Sequence, residues 1–328
     1  MRTLVVLSVD TEPSVAGAIT RPDRHRPRID EPVLGMVNGR SEALGFILAT
    51  LGRHRLPATF FVEAAHVRAF GEAPMRAHVE TILKAGHDIQ LHLHPVWTSW
   101  EEGRYDPARR TSDHCASLPA AQLTALLAEG RARLEQWTGA PVTAARAGCF
   151  SSSRTVLAAS AAAGLSVTSH VCIAAMPPGE PALAQPGGII ADSGVRELPV
   201  TCFPDATPAR GGGWRPLQVN AVSVPEMTGA LDALHAAGAP LAMVVMHPFD
   251  FLKSRDKQFT GMRANRLAQR RLEALTDHLA AHPQRFEVAP IAVAAARLPH
   301  SVAAPRLPGS ALRALARAAT NYVSDRWL

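Results

Sequence analysis

Gly86-His87-Asp88-Ile89-Gln90-Leu91-His92-Leu93-His94-Pro95 alternates strictly: Asp88, Gln90, His92 and His94 share one face, and Ile89, Leu91 and Leu93 share the other. A period of two marks a strand, here with one apolar side and one side made of chemistry. Imidazoles at i and i+2 of a strand point the same way with roots about 7 Å apart, close enough to converge on one metal ion. The spacing predicts a helix over residues 75–84, stopped by Gly86 as a left-handed cap, so this strand follows a helix directly.

Working outward, residues 3–10 predict a first strand on which Ser8, Asp10 and Glu12 share a side, so two carboxylates leave its end together. Leu44, Ile47, Leu48 and Leu51 fall at helical spacing over residues 41–54, with Ser41 as the N-cap. Residues 56–62, fronted by Pro57, read as a buried strand. Strand, helix, strand, helix, strand is the order of an α/β protein with a parallel sheet. Further helices are predicted over residues 119–137, 151–163, 224–237, 264–282 and 310–324, and further strands over 141–148, 165–171, 196–201, 241–248 and 285–289. No internal repeat and no linker interrupts the series. The expectation is α/β, one distorted (β/α) barrel of about seven to eight parallel strands over residues 1–300, followed by a C-terminal helical extension at 301–328. In such a barrel the chemistry sits where strands end, and Asp10, Glu12, His92, His94, Arg146, Glu197 and His247 all fall there.

The 328 residues are 47% apolar and 19% charged, an ordinary globular composition that excludes a disordered or fibrous chain. Cys115, Cys149, Cys172 and Cys202 are widely spaced, which supports neither a zinc ribbon nor a disulfide framework and points to a cytoplasmic protein. The apolar N-terminal run is too short to span a bilayer and lacks a small-residue cleavage site; no transmembrane segment is expected, so the chain is soluble or at most peripheral. The net charge of +6 comes largely from scattered arginines, among them Arg21, Arg24, Arg26 and Arg28 in one loop. It reads as an arginine-rich surface, or as attraction for an anionic substrate such as a nucleotide-linked or lipid-linked sugar; no nucleic acid is expected as a partner. The long loop over residues 13–39 reads as cover for part of a site. Trp97 and Trp100, in a polar loop over 95–118, suit stacking on a sugar as readily as packing on the body. His87 and His170 read as structural, and His25, His54, His66, His235 and His282 as solvated.

Taken in order, Ser8-Val9-Asp10-Thr11-Glu12, Ala58-Thr59-Phe60-Phe61-Val62, Gly86-His87-Asp88-Ile89-Gln90-Leu91-His92-Leu93-His94, Arg146, Glu197-Leu198-Pro199 and Val244-Val245-Met246-His247-Pro248 resemble the motifs of the polysaccharide deacetylase family, the NodB-homology domain of carbohydrate esterase family 4. The resemblance spans about residues 3 to 290 and implies a distorted (β/α) barrel that binds a divalent metal and removes N-acetyl groups from sugars. It also implies two adjacent aspartates where this chain has Asp10 and Thr11, and a second histidine where it has Val96. Glu12 and His94 are the groups able to take those places. Whether Asp10 or Glu12 is the carboxylate ligand stays open at this point.

Amide hydrolysis needs an activated water, a polarised carbonyl and a proton for the leaving amine. Glu12, His92 and His94 make a one-carboxylate, two-histidine ligand set of the kind that holds zinc with one position open. Asp10, with Arg146 as its counter-charge, is then the base, and His247 from another strand the acid. The expected function is a metal-dependent hydrolase that removes an N-acetyl or other N-acyl group from a sugar or glycan precursor. Two alternatives are a hydrolase of a small non-sugar amide on the same barrel, and a catalytically inactive module that binds glycan or nucleic acid.

Overall fold

The computed structural model describes residues 2–207 and 212–327. Its first half contains β1 (Thr3–Thr11), α1 (Leu44–Arg53), β2 (Thr59–Glu63), α2 (Ala73–Lys84), β3 (Asp88–Leu93), α3 (Ala120–Thr138), β4 (Ala144–Ala147) and α4 (Arg154–Ala162). There follow β5 (Val167–Thr168), β6 (Ile190–Asp192), β7 (Val195–Glu197), α5 (Val224–Ala236), β8 (Leu241–Met246), α6 (Arg266–Ala281), β9 (Phe286–Val288), α7 (Ile291–Arg297) and α8 (Ala311–Trp327). The strands form one curled sheet in the order β6-β7-β5-β4-β3-β2-β1-β8, with β9 on the start of β1. Every pair is parallel except β6 with β7.

The hub is β1, buried along its whole length. One edge carries β8 from Leu4 to Val9, and the other is shared by β9 at Thr3 to Val5 and β2 at Ser8 to Thr11. Val5, Leu7 and Val9 face the helical layer, while Leu4 and Val6 join Phe61, Ala144, Met243 and Val245 in a separate inner cluster. Along its inward face β1 therefore runs Leu4, Val6, Ser8, Asp10, and its continuation brings Glu12: apolar at the bottom, ionisable at the top. β8 repeats this gradient with Leu241, Met243 and Val245 ahead of His247. The alternation that makes the strand also delivers the carboxylates to the barrel mouth.

The barrel closes through irregular backbone between β7 and β8. Past β7 the chain reaches Thr201, whose N–H donates to Met243 O at 3.1 Å and whose Oγ1 accepts from Met243 N–H at 2.9 Å. Higher up, Val245 N–H donates to Leu217 O and Val219 N–H to Val245 O. These bonds satisfy the outer edge of β8 without a regular strand, and of the predicted strands over 165–171 and 196–201 only β5 and β7 are regular.

Local chemistry moves other boundaries. Ser41 does not cap a helix that starts beside it; α1 begins at Leu44, and Ser41 Oγ accepts from Gly45 N–H while donating to Leu34 O. Gln90 Oε1 takes the N–H groups of Thr143 and Ala144, so the β3/β4 ladder starts only at Leu91 with Ala145. Trp97 and Trp100 lie buried against each other, with Phe70 and Tyr105 beside them; they pack on the body. His66, expected in solvent, is fully buried: its Nδ1 donates to Glu63 O at 2.7 Å and its ring stands edge-on to Trp137. The loop over 13–39 is a folded flap, pinned by Gln258, which donates to Ala16 O and Arg26 O and accepts from Arg28.

Helix α3 crosses behind the histidine strand at Gly130, where an added Cβ would stand 2.8 Å from Leu91 Cδ1 and 3.2 Å from Ala64 Cβ. Gly130→Val is expected to destabilise the fold by about 1–3 kcal/mol through overpacking, read as a lower midpoint in urea unfolding. An unchanged midpoint would mean that α3 can lift off β3 at no cost.

Candidate active site

Register sets the site. Glu63 pairs with His92 across β2 and β3, and His92 pairs with Arg146 across β3 and β4, so these three sit abreast at the strand ends. Arg146 has no exposed surface. Its guanidinium donates to Asp10 Oδ1 at 2.6 Å, to Ser169 O at 3.1 Å and to Ser169 Oγ at 2.9 Å, and lies 4.3 Å over the Phe61 ring. Glu197 does not bond to it; the Glu197 carboxylate accepts the backbone N–H groups of His170 and Val171 and braces the turn that presents Ser169. His170 is buried too, accepting Ala147 N–H on Nδ1 at 2.8 Å, and burial holds its imidazole down to about 3, hence neutral.

His92 and His94 converge on Glu12. His92 Nε2 lies 3.3 Å and His94 Nε2 2.6 Å from Glu12 Oε2. The far nitrogen of each ring meets an acceptor: His92 Nδ1 faces Arg146 O at 2.9 Å, and His94 Nδ1 faces Asp113 Oδ1 at 2.9 Å. A carbonyl and a carboxylate can only accept, so both rings are assigned Nδ1–H, and neutral rings aim their Nε2 lone pairs at a carboxylate oxygen. Three acceptors pointed at one place require a shared cation, a proton or a metal ion. Their ligand atoms lie within 4.8 Å of one another, compared with about 3.3 Å between ligand atoms of a tetrahedral zinc site with bonds near 2.0–2.1 Å. The acceptors behind each ring are the partners that orient metal-ligating imidazoles. The residues present fit a divalent metal.

The titratable groups respond to this crowding. Burial works to raise the Glu12 carboxyl, but His94 and His92 outweigh it and hold it well below the usual carboxylate range; burial works against the His94 imidazolium, but Glu12 and Asp113 push it well above its usual value. His247, at the end of β8, has Nε2 3.7 Å from Asp10 Oδ2 and 4.0 Å from Glu12 Oε1, and Nδ1 3.4 Å from Asp250 Oδ2. Burial disfavours its charged form, yet Asp250, Asp10 and Glu12 lift it to about 9. All six expected residues, Asp10, Glu12, His92, His94, Arg146 and His247, thus gather at one mouth.

Several contributors lay outside the sequence expectation. Glu63 is fully buried; its Oε2 accepts His94 N–H at 2.5 Å and its Oε1 accepts Ala65 N–H, while burial pushes its carboxyl up to about 8. Asp113 comes from the aperiodic loop before α3, and Cys149 Sγ lies 3.5 Å from its Oδ2. Asp250 follows His247 by three positions and caps the turn after β8, the one contributor whose spacing carried a signal. Gly148 admits the His94 ring: a Cβ there would meet it at 2.4 Å. Above these groups opens a cleft of about 820 Å³, walled by Val15, Ile19, Phe249 and Phe259 and rimmed by Arg255 and Lys257.

The polysaccharide deacetylase family model matches residues 38–168, which hold the histidine strand and Arg146 but neither Asp10, Glu12 nor His247. No curated protein sequence matches the chain. Among solved structures, a provisionally assigned polysaccharide deacetylase from Mycobacterium smegmatis is similar at 17% identity, covering 93% of this chain and 95% of that one with a TM-score of 0.53. A family 4 carbohydrate esterase from Streptomyces lividans, in complex with acetate, covers 85% and 88% at 13% identity with a TM-score of 0.42. A family 4 acetyl xylan esterase from Clostridium thermocellum, in complex with a cobalt ion, covers 91% and 94% at 12% identity with a TM-score of 0.44. At 17% identity the likeness to the first of these speaks for the fold alone.

Gly148→Ala and Asp113→Ala disturb His94 from opposite sides, the first by steric pressure and the second by freeing its Nδ1. Each is expected to weaken zinc binding by about 10–100-fold in a competitive chelator titration while the circular dichroism spectrum stays that of the parent. Parent-like affinity in both would remove His94 from the ligand set.

Proposed function

From the chain's place as a divergent relative of the polysaccharide deacetylases, we propose that it is a metal-dependent hydrolase that removes an N-acyl group, acetyl in the first instance, from a sugar or glycan precursor in the cytoplasm. The observation that carries this reading is the convergence of Glu12, His92 and His94 beside the Asp10–Arg146 pair and His247, with Glu12 and His94 lining the cleft.

In this reading Glu12, His92 and His94 hold a divalent ion, zinc by the ligand types, which when bound supplies polarisation of the amide carbonyl and a water of lowered pKa. Asp10 takes the proton of the attacking water. Arg146 fixes the Asp10 carboxylate through Oδ1 and leaves Oδ2 facing the mouth, towards His247. His247, protonated at neutral pH by its carboxylate neighbours, gives a proton to the departing amine, and Asp250 orients it through Nδ1. Glu63 holds the backbone from which His94 projects.

The cleft is polarised: carboxylates and imidazoles lie at the floor and cations at the rim. The Asp256 carboxylate, also at the rim, is turned into its own loop, accepting from Thr260 Oγ1 at 2.7 Å and from the backbone N–H groups of Gln258 and Thr260. Arg255 and Lys257 thereby favour a substrate that carries an anionic group away from the scissile amide. The burial of Trp97 and Trp100 keeps a second reading in view, a small non-sugar amide in the apolar part of the cleft.

The purified protein is expected to hold about one divalent ion per chain by elemental analysis, and stripping it with a chelator should reduce acetate release from N-acetylated sugars to background until zinc is restored. Asp10→Asn should lower kcat by roughly 10²–10⁴-fold with metal content intact, and His247→Gln by a comparable factor. Loss of metal from Asp10→Asn would make Asp10 a ligand and reverse the roles. Absence of metal uptake by the parent would end the hydrolytic reading.

At the rim, Arg255→Ala with Lys257→Ala is expected to raise KM for N-acetylglucosamine 1-phosphate several-fold and to leave neutral N-acetylglucosamine unaffected, a difference that added salt should erase. Equal effects on both sugars would remove the anionic preference.

A further inference from the structure

Helix α8 is amphipathic the wrong way round for a helix that covers a protein body. Its inward side is polar. Arg317 is buried and donates to Glu226, to Asp205 Oδ1 at 3.1 Å and to Thr207 Oγ1 at 2.7 Å. Asn321 Oδ1 accepts from Arg271 at 2.6 Å, and Ser324 Oγ accepts from Lys253 at 2.7 Å. Its outward side is apolar. Leu312 is 82% exposed, Leu315 51% and Val323 51%, with exposed Ala316 and Ala319 between them and Tyr322 at 57%. Positions 312, 315, 316, 319 and 323 form one stripe along a helix. Of the seven large hydrophobic side chains exposed among the described residues, four lie on this helix, so the stripe is a local feature of α8.

The ionic character of the segment is one-sided. From Arg306 to the end of α8 the charged residues are Arg306, Arg313, Arg317 and Arg326 against the single acidic Asp325. Arg317 is neutralised by Glu226 and Asp205, whereas Arg306 and Arg313 are exposed, the Arg313 guanidinium lying along the edge of α5 over Gly229 with no carboxylate bonded to it among the described residues. A second copy laid against this stripe would bring an excess of like charges together, four arginines against one aspartate on each chain. A bilayer carrying anionic lipid supplies both an apolar layer for the leucines and phosphates for the arginines. No described helix is long and apolar enough to cross a membrane, so α8 can lie only in the plane of the interface.

We propose that α8 docks the protein on the surface of an anionic lipid bilayer, with Leu312, Leu315 and Val323 among the upper acyl chains and Arg306 and Arg313 at the headgroups. The rigid polar underside, three side-chain clamps from Arg317, Asn321 and Ser324, is what lets the helix present an apolar face without turning it inward. The inference rests on α8 alone and is independent of the hydrolytic reading.

Vesicle flotation tests it with the full chain. The protein is expected to float with vesicles of phosphatidylcholine containing about 30 mol% phosphatidylglycerol and to stay behind with phosphatidylcholine alone, with flotation reduced at high salt. Leu312→Asp with Leu315→Asp should cut the floated fraction roughly tenfold or more. Both positions are exposed, so the unfolding midpoint of the double variant should match the parent. Failure to float with anionic vesicles, or flotation that the double variant leaves intact, overturns the proposal. So does a dimer in light scattering that the double variant dissociates, because the stripe would then belong to a second copy.

Discussion

A guanidinium with no exposed surface stands at the centre of this barrel, and the geometry of the mouth depends on how it is satisfied. Arg146 spends its donors on Asp10, Ser169 O and Ser169 Oγ and rests on the Phe61 ring, so one side chain links β1, β2, β4 and the turn after β5. Burying two charges costs several kcal/mol each, and removing one partner of such a pair typically costs about 3–5 kcal/mol, because the other is left uncompensated. The pair therefore cannot drift. Asp10 is held, and with it the direction in which Glu12 leaves the end of β1. Arg146 also acts through its backbone, since its carbonyl is the acceptor that orients His92. One residue thus aims both the carboxylate and the first histidine of the candidate ligand set.

Much of this was readable from periodicity. The alternation in Gly86 to Pro95 is a property of β3 in the structure: Ile89, Leu91 and Leu93 enter the core under the helices, and the polar face that ends in His92 and His94 arrives at the mouth beside Asp10 and Glu12 once the sheet curls. Other features had no local cause. Glu63 lies one residue beyond the apolar run that announced β2, and its importance comes from accepting the His94 N–H, a contact between strands. Asp113 sits in a stretch without period, and nothing in its neighbourhood distinguishes it from a solvated aspartate until His94 is beside it. The closure between β7 and β8 uses turns and the Thr201 hydroxyl, chemistry that leaves no repeating pattern. His66 and the two tryptophans show the same limit from the other side: His66 is buried against Trp137 of α3, far along the chain, and Trp97 and Trp100 close on Phe70 and Tyr105 as well as on each other, contacts that leave no period.

The cleft inherits its asymmetry from two different sources. Its floor is made of strand ends, held by register and by buried hydrogen bonds, and the inward face of β1 changes from apolar to ionisable within one strand. Its walls come from the flap over 13–39 and the hairpin loop around Arg255, which meet through Gln258. The rigid part is where atoms must be placed to a fraction of an ångström, and the variable part is where a substrate is told from its neighbours. The match of the family model to residues 38–168 ends before β8 and begins after β1, so Asp10, Glu12 and His247 lie outside it and join the histidine strand only through the fold.

Charge balance gives an independent reason to expect a divalent cation at Glu12. Around the mouth stand the carboxylates of Asp10, Glu12, Asp113 and Asp250, with Glu63 pushed up to about 8 and therefore protonated at neutral pH. Against these four negative charges are Arg146 and the imidazolium of His247, which leaves two uncompensated. A proton on His94 removes only one of them, and an excess charge among side chains that are mostly buried is costly. A divalent ion held by Glu12, His92 and His94, with both rings neutral as ligands must be, brings the cluster to zero. The same count explains why Glu63 is the carboxyl that gives way: it is fully buried and has no cationic side chain bonded to it, only the two backbone N–H groups of Ala65 and His94.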